Sequence, residues 1–129
     1  MRPPRSYWSV DIDPSFEGPD PISEGAAVGL LVGIEVLRRY AGDLPAIARN
    51  GRKIRRLAST NTYRLPDGLI VPPFAICFQM SKDGKTALII AAREFEPRLG
   101  DVKTCGTVEE LTTDVVSEAG AGRPGCKST

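Results

Sequence analysis

Arginine is the commonest chemically capable residue in one part of this chain. Arg38, Arg39, Arg49, Arg52, Lys53, Arg55, Arg56 and Arg64 stand between residues 35 and 64, opposed by Glu35 and Asp43. Residues 94 to 118 reverse the balance: Glu94, Glu96, Asp101, Glu109, Glu110, Asp114 and Glu118 face only Arg98 and Lys103. A formal net charge of +1 therefore conceals a basic segment and an acidic one. A guanidinium is a planar donor fork that suits phosphate and stacks on bases. Nucleic-acid backbone is the obvious polyanion for such a segment. A solvated helix face whose arginines pair with the acidic tail explains the same charges. Glu35 and Asp43 dilute the first half, so Arg49 to Arg64 is the informative part.

Other chemistry is narrowed by what is missing. The chain has no histidine, which removes Ser-His-Asp and Cys-His hydrolysis and any histidine base. Proton transfer falls to Asp, Glu, Lys, Arg or Tyr. The three cysteines, Cys77, Cys105 and Cys126, form no CxxC pair, so no metal is expected and no cofactor is implied. Without a glycine-rich phosphate loop, a small-molecule enzyme is the weakest of the readings. Cys77 lies in an apolar run and reads as a buried small hydrophobe. Cys105 and Cys126 read as free thiols of a loop-like tail, because cytosolic thiols stay reduced.

The elements that must position these residues follow from length and pattern. A chain of 129 residues is one ordinary domain. The longest apolar stretch, Gly25 to Ile34, is too short to span a bilayer, and MRPPRSYWSV has no apolar core of a signal peptide. A cytoplasmic protein without membrane contact is the expectation. Tyr7 to Asp13 alternates as a strand, ended by Pro14, and residues 14 to 21 read as a loop. Ser23 is the expected N-cap of a helix running to about Tyr40. Gly25, Gly29 and Gly33 form a stripe on it that permits close approach to a sheet. Leu44 to Leu57 reads as a second helix, interrupted near Asn50-Gly51.

Strand-like runs follow at Thr62 to Leu65, Leu69 to Val71, Phe74 to Met80 and Thr86 to Arg93, with a turn at Pro66-Asp67-Gly68. Lys82-Asp83-Gly84-Lys85 joins the last two as a hairpin, and the hydrophobicity of the last suggests burial on both faces. A short helix is expected over Glu109 to Val116, and the last eleven residues read as disordered. The fold class is thus α+β: an N-terminal strand, two helices, then a three- to four-stranded antiparallel sheet with a central hairpin. Residues 1–97 form the domain; residues 98–129 form an acidic, Gly-rich, partly disordered tail.

This order, with a basic stretch before a short strand and an arginine closing the last strand, resembles the RelE/ParE superfamily of bacterial toxins. The resemblance spans about residues 7–96. It rests on Tyr7-Trp8-Ser9-Val10-Asp11-Ile12-Asp13, on Arg52-Lys53-Ile54-Arg55-Arg56-Leu57, on Tyr63-Arg64-Leu65, on Lys82-Asp83-Gly84-Lys85 and on Arg93. It implies a toxin of a toxin-antitoxin pair, with a cognate antitoxin and ribosome-bound mRNA as partners and no DNA sequence readout. The implied activity is metal-independent RNA cleavage by the RNA's own 2′-hydroxyl, with Arg56, Arg64 and Arg93 as the catalytic residues. Arg49, Arg52, Lys53, Arg55, Tyr63 and Phe95 would bind the nucleic acid. The family often has a tyrosine shortly after the last arginine, where Phe95 stands here; a phenyl ring stacks but donates no proton.

Three features depart from the pattern: the proline-rich loop, Pro72-Pro73 before the central hairpin, and about 30 residues beyond the usual end. The gyrase-inhibiting branch of the same superfamily performs no chemistry. The alternative reading is therefore a non-catalytic protein-interaction module whose basic face docks an acidic partner. The acidic tail is a third candidate, folding back to mask that face.

Overall fold

The computed structural model describes residues 8–18, 22–44, 46–49, 52–120 and 123–128, without the side chains of 46–49, 52 and 128. Among the described residues, nine strands form two sheets, with two α-helices. In chain order these are β1 (Ser9–Glu17), α1 (Glu24–Tyr40), β2 (Ala46–Arg49), β3 (Arg52–Ser59), β4 (Thr62–Arg64) and β5 (Ile70–Val71). Then come β6 (Phe74–Met80), β7 (Thr86–Glu94), β8 (Val102–Thr104), α2 (Val108–Glu118) and β9 (Lys127–Ser128). The larger sheet has the order β1-β7-β6-β3-β2, and the smaller has β5-β4-β8-β9. The α+β class is as expected, and the hairpin of β6 and β7 lies inside the larger sheet.

Helix α1 begins as the sequence indicates. The Ser23 Oγ accepts from the Ala26 amide, and Glu24 sits in the positive first turn. Its glycines do bring it close to strands. A Cβ on Gly25 would lie 1.9 Å from the Ile70 carbonyl oxygen, and one on Gly33 would lie 2.2 Å from the Ile76 Cδ1. The helix buries Val32, Val36 and Leu37 against Leu57, Phe74, Ile76, Phe78 and Ile89 of the strands. Each fully buried side chain of this size contributes about 1.5–3 kcal/mol relative to exposure.

The expected second helix, Leu44 to Leu57, is not there. A 3-10 turn, Ala41–Asp43, is followed by β2 and β3, an antiparallel pair in which Arg49 faces Arg52. Asn50-Gly51, expected as a helix interruption, lies outside the described residues, as does Pro45. The physical reason is a period of two. Leu57 and Ser59 are buried on one side, while Ile54, Arg56 and Ala58 alternate on the other. A helix would have spread the same arginines around its circumference.

Two further boundaries move. β1 continues through Pro14 to Glu17, with an irregular register between Ile12 and Glu17. It is an edge strand paired in parallel with β7, and an edge tolerates a proline. Tyr7, the expected start of this strand, lies outside the described residues, as do Pro19, Asp20 and Pro21. β7 is internal in its sheet as expected, but only its Ala87 and Ile89 are buried; the side chains on its other face are half-buried or exposed.

The supposed tail belongs to the domain. Strand β8 pairs in parallel with β4, α2 packs on α1, and Leu111, Val115, Cys105 and Cys126 join the same core. Cys105 and Cys126 form a disulfide, contrary to the expectation of free thiols, and β9 pairs with β8 just beyond it. The last eleven residues are thus ordered over 123–128, held by a covalent link that local composition does not reveal. Asp114 supplies the second tether. Its Oδ1 accepts from the Gly125 and Cys126 amides at 3.0 and 3.1 Å, and its Oδ2 accepts from the Tyr63 hydroxyl at 2.7 Å.

Candidate functional site

Helix α1 covers one face of the larger sheet. The opposite face carries a groove of about 830 Å³. Its floor is made of small side chains, Ala75, Cys77 and Ala91, and its walls include Arg56, Arg93, Phe95 and Glu17. Strand register explains the arrangement. Arg56 on β3 pairs with Cys77 on β6, Cys77 with Ala91 on β7, and Ala91 with Glu17 on β1. One transverse row therefore reads Arg56, Cys77, Ala91, Glu17. The next row reads Ala58, Ala75, Arg93. Side chains on one face of a sheet come from every second residue, so Arg56 and Arg93 must share this face with that floor.

Both guanidiniums project to solvent, and among the described residues neither makes an ion pair or hydrogen bond. Glu17 is exposed and likewise unpaired. The groove thus offers two unsatisfied cations over an apolar floor, an aromatic rim at Phe95, and one anion at the β1 end. Such a surface can hold carboxylates or phosphates by charge-assisted hydrogen bonds.

The other expected site residues are dispersed. Arg55 points to the helix side of its sheet, where its Nη1 donates to the Leu44 carbonyl at 2.6 Å and the Gly42 carbonyl at 3.4 Å. It holds the chain that follows α1, a structural role. Lys53 is exposed on β3, two residues from Arg55 and so on the same side of the strand, away from the groove. Arg64 is exposed on β4 of the smaller sheet and is not among the groove's lining residues. Arg49 and Arg52 lie on β2 and β3, and their side chains are outside the described residues. Of the three expected catalytic arginines, then, Arg56 and Arg93 converge and Arg64 does not.

Tyr63 is also corrected. Expected as a stacking residue or as a half-buried strand tyrosine, it is completely buried. Its hydroxyl donates to Asp114 and also lies 3.1 Å from the Glu118 carboxylate. Burial raises its pKa far above the ordinary phenol value, and the adjacent carboxylates add to this despite the opposing contact with Asn61. It cannot move protons in the groove. For Asp114, burial alone would raise the carboxyl. Hydrogen bonds from Tyr63, Lys103 and the Cys126 amide outweigh that and hold it below the ordinary carboxylate value. Lys103 Nζ lies 3.0 Å from this carboxylate.

Among the described residues the acidic segment makes no ion pair with Arg56 or Arg93. Asp114 is buried, and Glu118 accepts from Ser59, from the Thr60 amide and hydroxyl, and from Tyr63. Its bonds tie α2 to the turn between β3 and β4. Among the described residues no group of three His, Cys, Asp or Glu side chains is placed to hold a metal. Nor is any described helix long and apolar enough to cross a membrane.

Sequence reasoning missed Glu17, Cys77, Ala75 and Ala91. Cys77 was expected in the core, but it faces the groove and is half-buried. The signal that locates all four is the alternation of residues 52–59 and 74–80, read as strands on a shared sheet. Comparison with known proteins gives no match to a family model, a curated protein or a solved structure.

Proposed function

We propose that this chain is a non-catalytic protein-interaction module whose open sheet face docks an acidic segment of a partner protein. The observation that carries the reading is the convergence of Arg56 and Arg93 on one groove with an apolar floor. A polyanion such as RNA is favoured by many dispersed cations tracking its backbone. Among the described residues two guanidiniums line the groove, and Glu17 would repel a phosphate chain at one end. An apolar floor between paired cations instead suits a segment with alternating acidic and aliphatic side chains. Among the described residues the carboxylates lining the groove are Glu17 and Glu94, and Glu94 accepts from the Ser23 hydroxyl.

The test is fluorescence anisotropy with a labelled peptide of alternating glutamate and valine. Binding that weakens with salt, and is lost in the Arg56→Ala/Arg93→Ala variant, is expected. No binding by the wild-type protein at low salt sinks the reading.

A toxin of the RelE/ParE kind, acting on ribosome-bound mRNA, is the second reading. It is supported by Arg56, Arg93 and Phe95, three of its residues, lining the same groove. It loses the second helix of the expected order and the proximity of Arg64. Arrest of a cell-free translation reaction, relieved by Arg56→Ala/Arg93→Ala, is its mark. Undiminished translation at saturating protein contradicts it.

A further inference from the structure

We propose that the groove's partner is a second copy of this chain, packed face to face as a symmetric dimer. This rests on the reading of the open sheet face as a docking surface. The row Arg56, Cys77, Ala91, Glu17 crosses β3, β6, β7 and β1. Its ends carry opposite charges, and its two middle positions are small. Adjacent strands are about 4.8 Å apart, so the charged ends stand roughly 14 Å from each other along the sheet.

A two-fold axis parallel to the strands, passing between Cys77 and Ala91, exchanges the two ends of this row. Arg56 of one copy then faces Glu17 of the other, twice per dimer. Cys77 faces Ala91 across the interface. A symmetric interface must be self-complementary in this way, and few charge patterns on a sheet satisfy the condition. The small floor lets two sheets approach to the usual spacing of about 10 Å. Both charges are exposed and make no ion pair among the described residues, so each is free to pair across the interface.

The next row makes a second, opposing statement. The same axis sets Arg93 over Ala75 of the other copy, where a methyl group leaves room for the arginine stem. It also brings the two Arg93 side chains near one another. That repulsion opposes dimerisation, whereas the same residue favours an acidic peptide.

Sedimentation velocity from low-micromolar to near-millimolar protein tests this. The wild-type chain should pass from monomer to dimer. Arg56→Glu and Glu17→Lys should each weaken the dimer by roughly tenfold or more, because each sets like charges opposite one another. The double variant, Arg56→Glu with Glu17→Lys, should restore it. Arg93→Ala should dimerise at least as well as wild type while losing affinity for the glutamate-valine peptide. A monomer at every concentration, or a dimer that the single reversals leave unchanged, overturns the proposal. If peptide binding persists in that case, only the dimer falls; if the peptide also fails to bind, the docking reading falls with it.

Discussion

Arg56 on β3 and Arg93 on β7 flank β6 and line one groove, and neither guanidinium has an ion pair among the described residues. Other described members of the basic segment do other things. Arg55 secures a loop, Arg38 and Arg39 both pair with Glu35, and Arg64 stands on the other sheet. Among the described residues, a segment that reads as one patch along the chain places Arg56 at the groove, alongside Arg93.

This division of labour is separable by mutation. Arg55→Ala should lower stability by about 1–2 kcal/mol, since two backbone carbonyls lose a charged donor. Arg64→Ala should leave both stability and acidic-peptide affinity within about 0.5 kcal/mol of wild type. Urea denaturation and anisotropy measure the two quantities. An Arg64 effect on peptide binding as large as that of Arg56 would contradict the placement of the site.

The Asp114 carboxylate is the hub that joins Tyr63, Lys103, Gly125 and Cys126. Asp114→Asn should cost about 3 kcal/mol, because the half-buried Lys103 partner and several donors lose their charged, buried acceptor. The folded carboxyl titrates below its ordinary value, so its contribution is present above the unfolded pKa of about 3.9 and is lost as pH falls through the folded one. The stability gap between wild type and the variant should be flat above about pH 5 and should narrow below about pH 4. A gap that widens on acidification would show the opposite linkage.

How much of this was legible follows from which interactions are local. The Ser23 cap, the glycine stripe and the β6–β7 hairpin depend on residues near in sequence or on a single face, and all were readable. Residues 44–57 read as a helix because arginine, lysine, leucine and alanine favour helices, and only pairing with β6 makes the period of two decisive. The tail was misread because Cys105 and Cys126 are 21 positions apart and local composition cannot report a crosslink. The groove was half-read: Arg56 and Arg93 were named, but Glu17 and the small floor emerge only from strand register.

That crosslink should matter for stability. Cys126→Ser removes a bond closing a loop of this size and should cost about 2–4 kcal/mol. Chemical denaturation with and without reductant checks it, and the reduced wild type should approach the variant. Equal midpoints for oxidised wild type and variant would show that the disulfide contributes nothing.

The glycine contacts make a sterically defined prediction. Gly25→Ala would place a methyl 1.9 Å from the Ile70 carbonyl oxygen, which is backbone and must move. Although alanine improves helix propensity by about 1 kcal/mol, the overpacking should exceed it and lower stability by roughly 1–3 kcal/mol. A rise in melting temperature would mean that α1 sits further from β5 than described.

The docking account is tested most directly by the affinity of the glutamate-valine peptide for wild type and for Arg56→Ala/Arg93→Ala, measured by anisotropy at low salt. The account predicts binding by wild type that falls at least about tenfold in the double variant, with the melting temperature little changed. Equal affinity for the two proteins, or no binding by either, would contradict it.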